Sequence, residues 1–247
     1  MSAVVSIETP SAVFIVTDGA IYNADNVLLS VRRKVDFSEN VPVAVATRGN
    51  QGVGDYAAKL IIDAVERLGF DEAMTSLAEV AHKFGGSDRH TRLEVTIAGI
   101  SEQHGPRRLV FRTDADPVAL EYPGVASSCA TSSAGLSEMG IRLRGQFEGW
   151  ESYLRQIAVP MMEHYRRTAI DANAGEKFGQ PAHLVGGQVD FTILSHEGVT
   201  VETIHRWDDK IGERIDPFTE RRTVQQFPRL NRQQRRAAQR EQRRGAA

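Results

Sequence analysis

Three residues of the types that can turn a hydroxyl into a nucleophile, Ser2, Asp18 and Lys34, follow one another at a constant spacing of sixteen residues. If Met1 is removed, Ser2 carries its hydroxyl and a free α-amine on one residue, and an amine with a pKa of about 8 can take the hydroxyl proton at neutral pH. A neighbouring lysine lowers the hydroxyl pKa electrostatically, and an aspartate beside the lysine keeps it charged and in place. Singly, each has an ordinary explanation. Serine is a common second residue, Asp18 precedes Gly19 as turn residues do, and Lys34 closes the basic run Arg32-Arg33-Lys34. Their joint placement argues for chemistry only if the chain brings the ends of its early strands together.

The local patterns supply such ends. Residues 3–7 and 12–17 read as strands joined through Pro10-Ser11, with further strands near 20–22 and 27–31. Ser2 then starts the first strand, Asp18 follows the second, and Lys34 comes after the next hairpin has returned. Val41–Thr47 is another strand, after which Gly49, Gly52 and Gly54 break the pattern. The lone G-x-G at 52–54 lacks the Lys-Ser/Thr of a phosphate loop and reads as a tight turn before a helix. That helix is predicted from Tyr56 to Leu68, where Ala57, Leu60, Ile61, Ala64, Val65 and Leu68 recur at three and four. A second is predicted from Phe70 to Phe84, ending at Gly85-Gly86. Strands at Leu93–Ile100 and Arg108–Thr113, a helix from Trp150 to Ala172 with a kink at Pro160, and a hairpin of Val189–Leu194 with Val199–His205 complete the order. Strands and helices in separate runs indicate an α+β domain.

On these residues the chain resembles the N-terminal-nucleophile hydrolases of the proteasome type, which include proteasome β subunits and the peptidase subunit of the bacterial two-component ATP-dependent protease. That family has Asp sixteen residues after its nucleophile and Lys a further sixteen on. Phe14-Ile15-Val16-Thr17-Asp18-Gly19 and Val31-Arg32-Arg33-Lys34-Val35 fill those places without a gap. Val43–Gly49 matches the following strand with one residue inserted, and Val185-Gly186-Gly187-Gln188 with the last hairpin matches the late Gly-Gly. The resemblance covers roughly residues 2–206 and implies a four-layer α-β-β-α sandwich. It further implies hydrolysis of peptide amide bonds by Ser2 without a cofactor, with Lys34 and Asp18 in support, the Gly49 N–H in the oxyanion hole and Tyr22 lining the substrate strand. Subunits would assemble into homo-oligomeric rings or a helical stack, with an ATPase unfoldase feeding peptide substrate.

Several positions depart from the family. Serine replaces threonine and loses the methyl that restricts its rotamer. The supporting Gly-Ser-Gly is replaced by the serine-rich stretch 127–133, and the polar pair before the Gly-Gly falls on Ala182 and Val185.

With 247 residues, 41% hydrophobic and 25% charged, the chain has the composition of a globular domain with a sizeable core. No apolar run approaches the roughly 18 residues of a membrane span, and no signal peptide is visible. The single Cys129 makes no internal disulfide, so a cytoplasmic location is expected. The histidines show no metal-ligand spacing, so no metal is expected. The net charge of −2 hides an asymmetry. Arg229–Arg244 holds seven arginines against Glu241, a net +6 that leaves −8 on the remainder. We therefore read 1–206 as the domain and 207–247 as a charged, Arg/Gln-rich tail expected to be flexible. A second reading is a scaffold subunit of the same fold without hydrolysis, its tail binding an acidic partner. A third is amide hydrolysis of a small molecule.

Overall fold

The computed structural model describes residues 3–81, 93–114, 120–121, 136, 140–141, 147–169 and 182–218. The chain begins with β1 (Val4–Glu8) and β2 (Val13–Asp18), an antiparallel pair closed at its turn by Thr9 N–H donating to the Ala12 carbonyl at 2.9 Å. A two-stranded ribbon, β3 (Ala20–Tyr22) and β4 (Leu28–Val31), leads to β5 (Val35–Phe37) and β6 (Val43–Gly49). Helices α1 (Gln51–Leu68) and α2 (Phe70–Ala81) follow, then β7 (Leu93–Ser101), β8 (Gly105–Arg112) and β9 (Leu120–Glu121). The last elements are α3 (Trp150–Arg167), β10 (Gln188–Ser195) and β11 (Gly198–Arg206). All strand pairs are antiparallel, giving one sheet in the order β1-β2-β10-β11 and another in the order β5-β6-β7-β8-β9.

The period of two along the central strands explains the packing. On β2, Phe14 and Val16 join α3 residues Leu154, Ile157, Met161 and Met162 in one core, whereas Val13 and Ile15 turn the other way. On β6, Val43 and Val45 pack with Ala58, Ile61 and Val65 of α1 and with Phe70, Ala73 and Met74 of α2. The alternate residues Ala44 and Ala46 meet Val13, Ile15 and Leu194 in a cluster that both sheets share. Strands buried on both faces read in sequence as unbroken apolar runs, which is what Val13-Phe14-Ile15-Val16 and Val43-Ala44-Val45-Ala46 are. Polar ties add to this between β1 and β8: Arg108 donates its N–H to Glu8 Oε2 at 2.7 Å and its Nη1 to Ser6 Oγ at 3.0 Å.

Three local features differ from the sequence expectation. Helix α1 starts at Gln51, not Tyr56, because the Asn50 side chain accepts from the Val53 N–H at 3.2 Å and caps it. Gly52 and Gly54 thus lie inside its first turn, and Gly54 is small for a packing reason, since a Cβ there would come within 2.6 Å of Thr47 Oγ1. Helix α3 runs unbroken through Pro160 and ends at Arg167. The strands β5 and β9 went unread, being too short to show a period. The predicted end of the second helix at Phe84, Cys129 and the serine-rich stretch lie outside the described residues.

One compact unit extends to Ile215. Residues 207–215 therefore pack with the strands and helices. Leu28 N–H donates to the Glu213 carbonyl at 2.9 Å, Gly212 N–H to the Leu28 carbonyl at 2.8 Å, and Ile215 is buried with Ala20 and Leu28. Among the described residues no helix is long and apolar enough to cross a membrane.

The start of α2 is capped from a distance. Glu102, in the β7–β8 turn, accepts from the N–H groups of Phe70 at 2.7 Å and Asp71 at 2.8 Å. Desolvation pushes the Glu102 carboxyl up, but these donors together hold it below the usual glutamate value. Glu102→Gln is expected to lower stability by about 1 kcal/mol in urea unfolding at neutral pH. The deficit shrinks in acid, because a carboxylate with a depressed folded-state pKa contributes above its unfolded value and loses that contribution as pH falls through the folded one.

Candidate active site

Asp18 is the last residue of β2, and its side chain is wholly buried. Its carboxylate nevertheless has every acceptor position occupied. Oδ1 accepts from Lys34 Nζ at 2.8 Å and from Ala3 N–H at 2.9 Å; Oδ2 accepts from Ala20 N–H at 3.2 Å and Gly186 N–H at 3.3 Å. Four donors match the roughly four lone-pair sites of a carboxylate. The backbone around it is tied to the same partners, with Asp18 N–H donating to the Ala3 carbonyl at 3.3 Å and Gly19 N–H to the Gly186 carbonyl at 3.0 Å. One side chain thereby joins the start of β1, the end of β2, the start of β3 and the loop before β10.

Lys34 sits between β4 and β5, its side chain 3% exposed. Arg32 N–H donates to the Gly19 carbonyl at 3.0 Å, which brings the returning chain back onto the turn after Asp18. Burial lowers the Lys34 pKa, Asp18 opposes the change, and the nearby guanidinium groups of Arg32 and Arg48 add to it. Those two arginines have partners of their own: Arg32 pairs with Asp55 at the start of α1, and Arg48 with Glu94 at 3.1 Å. The lysine is thus held in a cationic surround against the Asp18 carboxylate.

Ser2 lies outside the described residues. The amide that joins Ser2 to Ala3 donates to the same oxygen, Asp18 Oδ1, that Lys34 holds. The Ala3 N–H is therefore within two consecutive hydrogen bonds of the lysine amine. The β5–β6 register sets Val35 opposite Ala46, so the stretch from Thr47 to Gly49 runs beside Lys34, with Gly49 closing the strand just before the Asn50 cap. Tyr22 is half-buried at the end of β3, where a bulge shifts its pairing onto Leu28. It shares the ribbon that links Asp18 to Lys34. Ala182 and Val185 are both buried, and the contribution of Val185 is its carbonyl, which accepts from Arg166 Nη1 at 3.1 Å.

Two residues near this centre were not predicted. Arg166, in the last turn of α3, makes a two-pronged ion pair with Asp209 at 2.6 and 2.8 Å, and Asp209 Oδ2 also accepts from Gly187 N–H at 2.7 Å. Neither had a sequence signal. Arg166 stands in an ordinary basic helix end, and Asp209 in a stretch whose charge reads as tail. Among the described residues no group of three or more His, Cys, Asp and Glu side chains is arranged to hold a metal ion.

No protein-family model matches this chain, and no curated protein matches it.

Removing one partner from a buried ion pair strands the other charge. Asp18→Asn is expected to cost about 3–5 kcal/mol in urea unfolding, with much of the loss recovered when Lys34→Met accompanies it. The pH dependence follows from the lysine, whose folded-state pKa lies below its ordinary 10.5. In the window between the two values the unfolded chain binds more protons, so the stability of the wild type relative to Lys34→Met rises with pH there.

Proposed function

We propose that the protein is a proteasome-type N-terminal-nucleophile hydrolase that cleaves peptide amide bonds with Ser2. The observation that carries this reading is the shared oxygen: Asp18 Oδ1 holds Lys34 Nζ and the amide following Ser2 at once. A sixteen-residue spacing repeated twice needs a spatial reason, and a common carboxylate supplies one. The fold is compatible with it. Helices α1 and α2 pack on the five-stranded sheet, α3 packs on the four-stranded sheet, and a cluster is shared by both sheets. We read these as the four layers α-β-β-α of that family.

In this mechanism Ser2 Oγ attacks the substrate carbonyl carbon while its proton passes to the free α-amine, directly or through a water. The C–O bond forms and the carbonyl oxygen becomes an oxyanion, received by the Gly49 N–H. Collapse breaks the C–N bond, and the α-ammonium returns the proton to the departing amine. Water then attacks the acyl ester and regenerates Ser2. Lys34 stabilises negative charge on Oγ as the proton leaves. Asp18 fixes the lysine without itself reaching substrate, and Tyr22 lines the substrate strand. The same reading carries homo-oligomeric assembly, with an ATPase unfoldase delivering chains.

A scaffold role without hydrolysis is favoured by one feature, the apolar Ala182 and Val185 where the family has polar support. Mass spectrometry of the intact protein separates the two. The hydrolase reading expects loss of Met1 and one adduct after treatment with a peptide-like electrophile that acylates N-terminal nucleophiles. That adduct should be absent in Ser2→Ala, and in Lys34→Met it should form at least about tenfold more slowly. A retained methionine, or a free Ser2 that takes no adduct, overturns the hydrolase reading in favour of the scaffold.

A further inference from the structure

We propose that the Arg166–Asp209 ion pair is the positioning device of this centre, setting the Gly186-Gly187 loop so that the Gly186 N–H meets Asp18 and keeps the Asp18–Lys34 pair in register. The inference deepens the hydrolase reading and rests on it for its catalytic meaning.

The contacts form a continuous path. Arg166 and Asp209 side chains are 7% and 6% exposed, and the guanidinium lies 4.9 Å over the Trp207 ring. Each end of the pair also grips the loop. Arg166 Nη1 donates to the Val185 carbonyl at 3.1 Å, and Gly187 N–H donates to Asp209 Oδ2 at 2.7 Å. Trp207 N–H closes the grip on the Gly187 carbonyl at 3.0 Å. From the loop the path reaches Asp18 through the Gly186 N–H at 3.3 Å and returns from Gly19 N–H to the Gly186 carbonyl at 3.0 Å.

The glycines are cut to this shape. A Cβ on Gly186 would come within 2.5 Å of Asp209 Oδ2 and 2.7 Å of Arg166 Nη1, and Gly187 has a φ of +74°, where other residues are strained. The segment leading into the loop, Ala182-His183-Leu184-Val185, contributes no side-chain bond to Asp18 among the hydrogen bonds described, and His183 turns its Nδ1 to the Arg166 carbonyl at 3.0 Å. Polar support for the loop comes from the end of α3 and from the chain after β11. A buried ion pair is a weak source of net stability but a strongly directional one, and direction is what a loop carrying a single N–H to a carboxylate requires.

Asp209→Asn tests this, because an amide has one acceptor oxygen and cannot serve Arg166 twice and Gly187 as well. Three readouts are compared with wild type and with Asp209→Glu: amide hydrogen exchange at Gly186 and Gly187, the titration of the Lys34 amine by 13C-lysine NMR, and the pH profile of electrophile addition at Ser2. Among the described residues, Asp18, Arg32 and Arg48 are charged groups that act on that amine. Exchange at the two glycines is expected to rise about tenfold or more, with Phe14 and Phe191 amides within about twofold of wild type. The Lys34 midpoint shifts, addition slows by about tenfold with its pH midpoint displaced, and Asp209→Glu recovers part of each. Unchanged glycine exchange and Lys34 titration overturn the inference, as does loosening of Phe14 and Phe191 in parallel with the glycines. Arg166→Lys, which keeps the charge and loses the second prong, replaces Asp209→Asn if that variant does not fold. If wild type takes no adduct, the hydrolase reading fails, while exchange and the Lys34 titration still decide whether the clamp sets the pair.

Discussion

A buried carboxylate with four donors constrains everything around it. Asp18 has no water to turn to, so Ala3, Ala20, Lys34 and Gly186 must each arrive within hydrogen-bond range from a different part of the chain. Desolvating a carboxylate costs several kcal/mol unless charge and hydrogen bonds are returned to it. The ammonium of Lys34 and three backbone N–H groups return them. The requirement propagates outward: β1 must begin where Ala3 can reach Asp18, the β3–β4 ribbon must return to present Lys34, and the loop before β10 must place Gly186.

The sheets make this possible by being buried on both faces. β2 is central in its sheet and β6 is interior in the other, and each sends alternate side chains to a helix-covered core and to the shared cluster. Ala44, Ala46 and Ala98, with Val35, form the second sheet's part of that cluster and meet Val13, Ile15 and Leu194. Close-packed interiors transmit displacement instead of absorbing it. β2 is packed along its whole length to Asp18, whereas β6 is buried from Val43 to Ala46 and leaves the core toward Gly49.

What could be read from the sequence divides along physical lines. The apolar runs of β2 and β6 and the three-four spacing of α1 are strong local signals, and the elements lie where those signals are. Asp18 and Lys34 were legible as a pair because their spacing is a local count, and the structure joins them at 2.8 Å. The start of α1 was misread because glycine is a poor helix former, whereas here the Asn50 cap and the contact of Gly54 with Thr47 decide. Residues 207–215 were hidden for another reason. Their pairing with Leu28 is made by backbone groups, which carry no residue identity, so charged composition alone suggested a tail. Arg166 and Asp209 are ion-pair partners 43 positions apart, and no pattern in one sequence connects them.

The charge state of Lys34 is the point on which these layers converge. Burial favours the neutral amine, and so do Arg32 and Arg48; Asp18 favours the ammonium. The pull of Asp18 is itself divided, because three backbone N–H groups draw on the same carboxylate. Every donor added to Asp18 weakens its hold on the lysine proton. A lysine balanced in this way responds to small changes in its surroundings. The network of backbone donors therefore does two things at once: it fixes where the Lys34 amine sits, and it divides the carboxylate's pull on that amine.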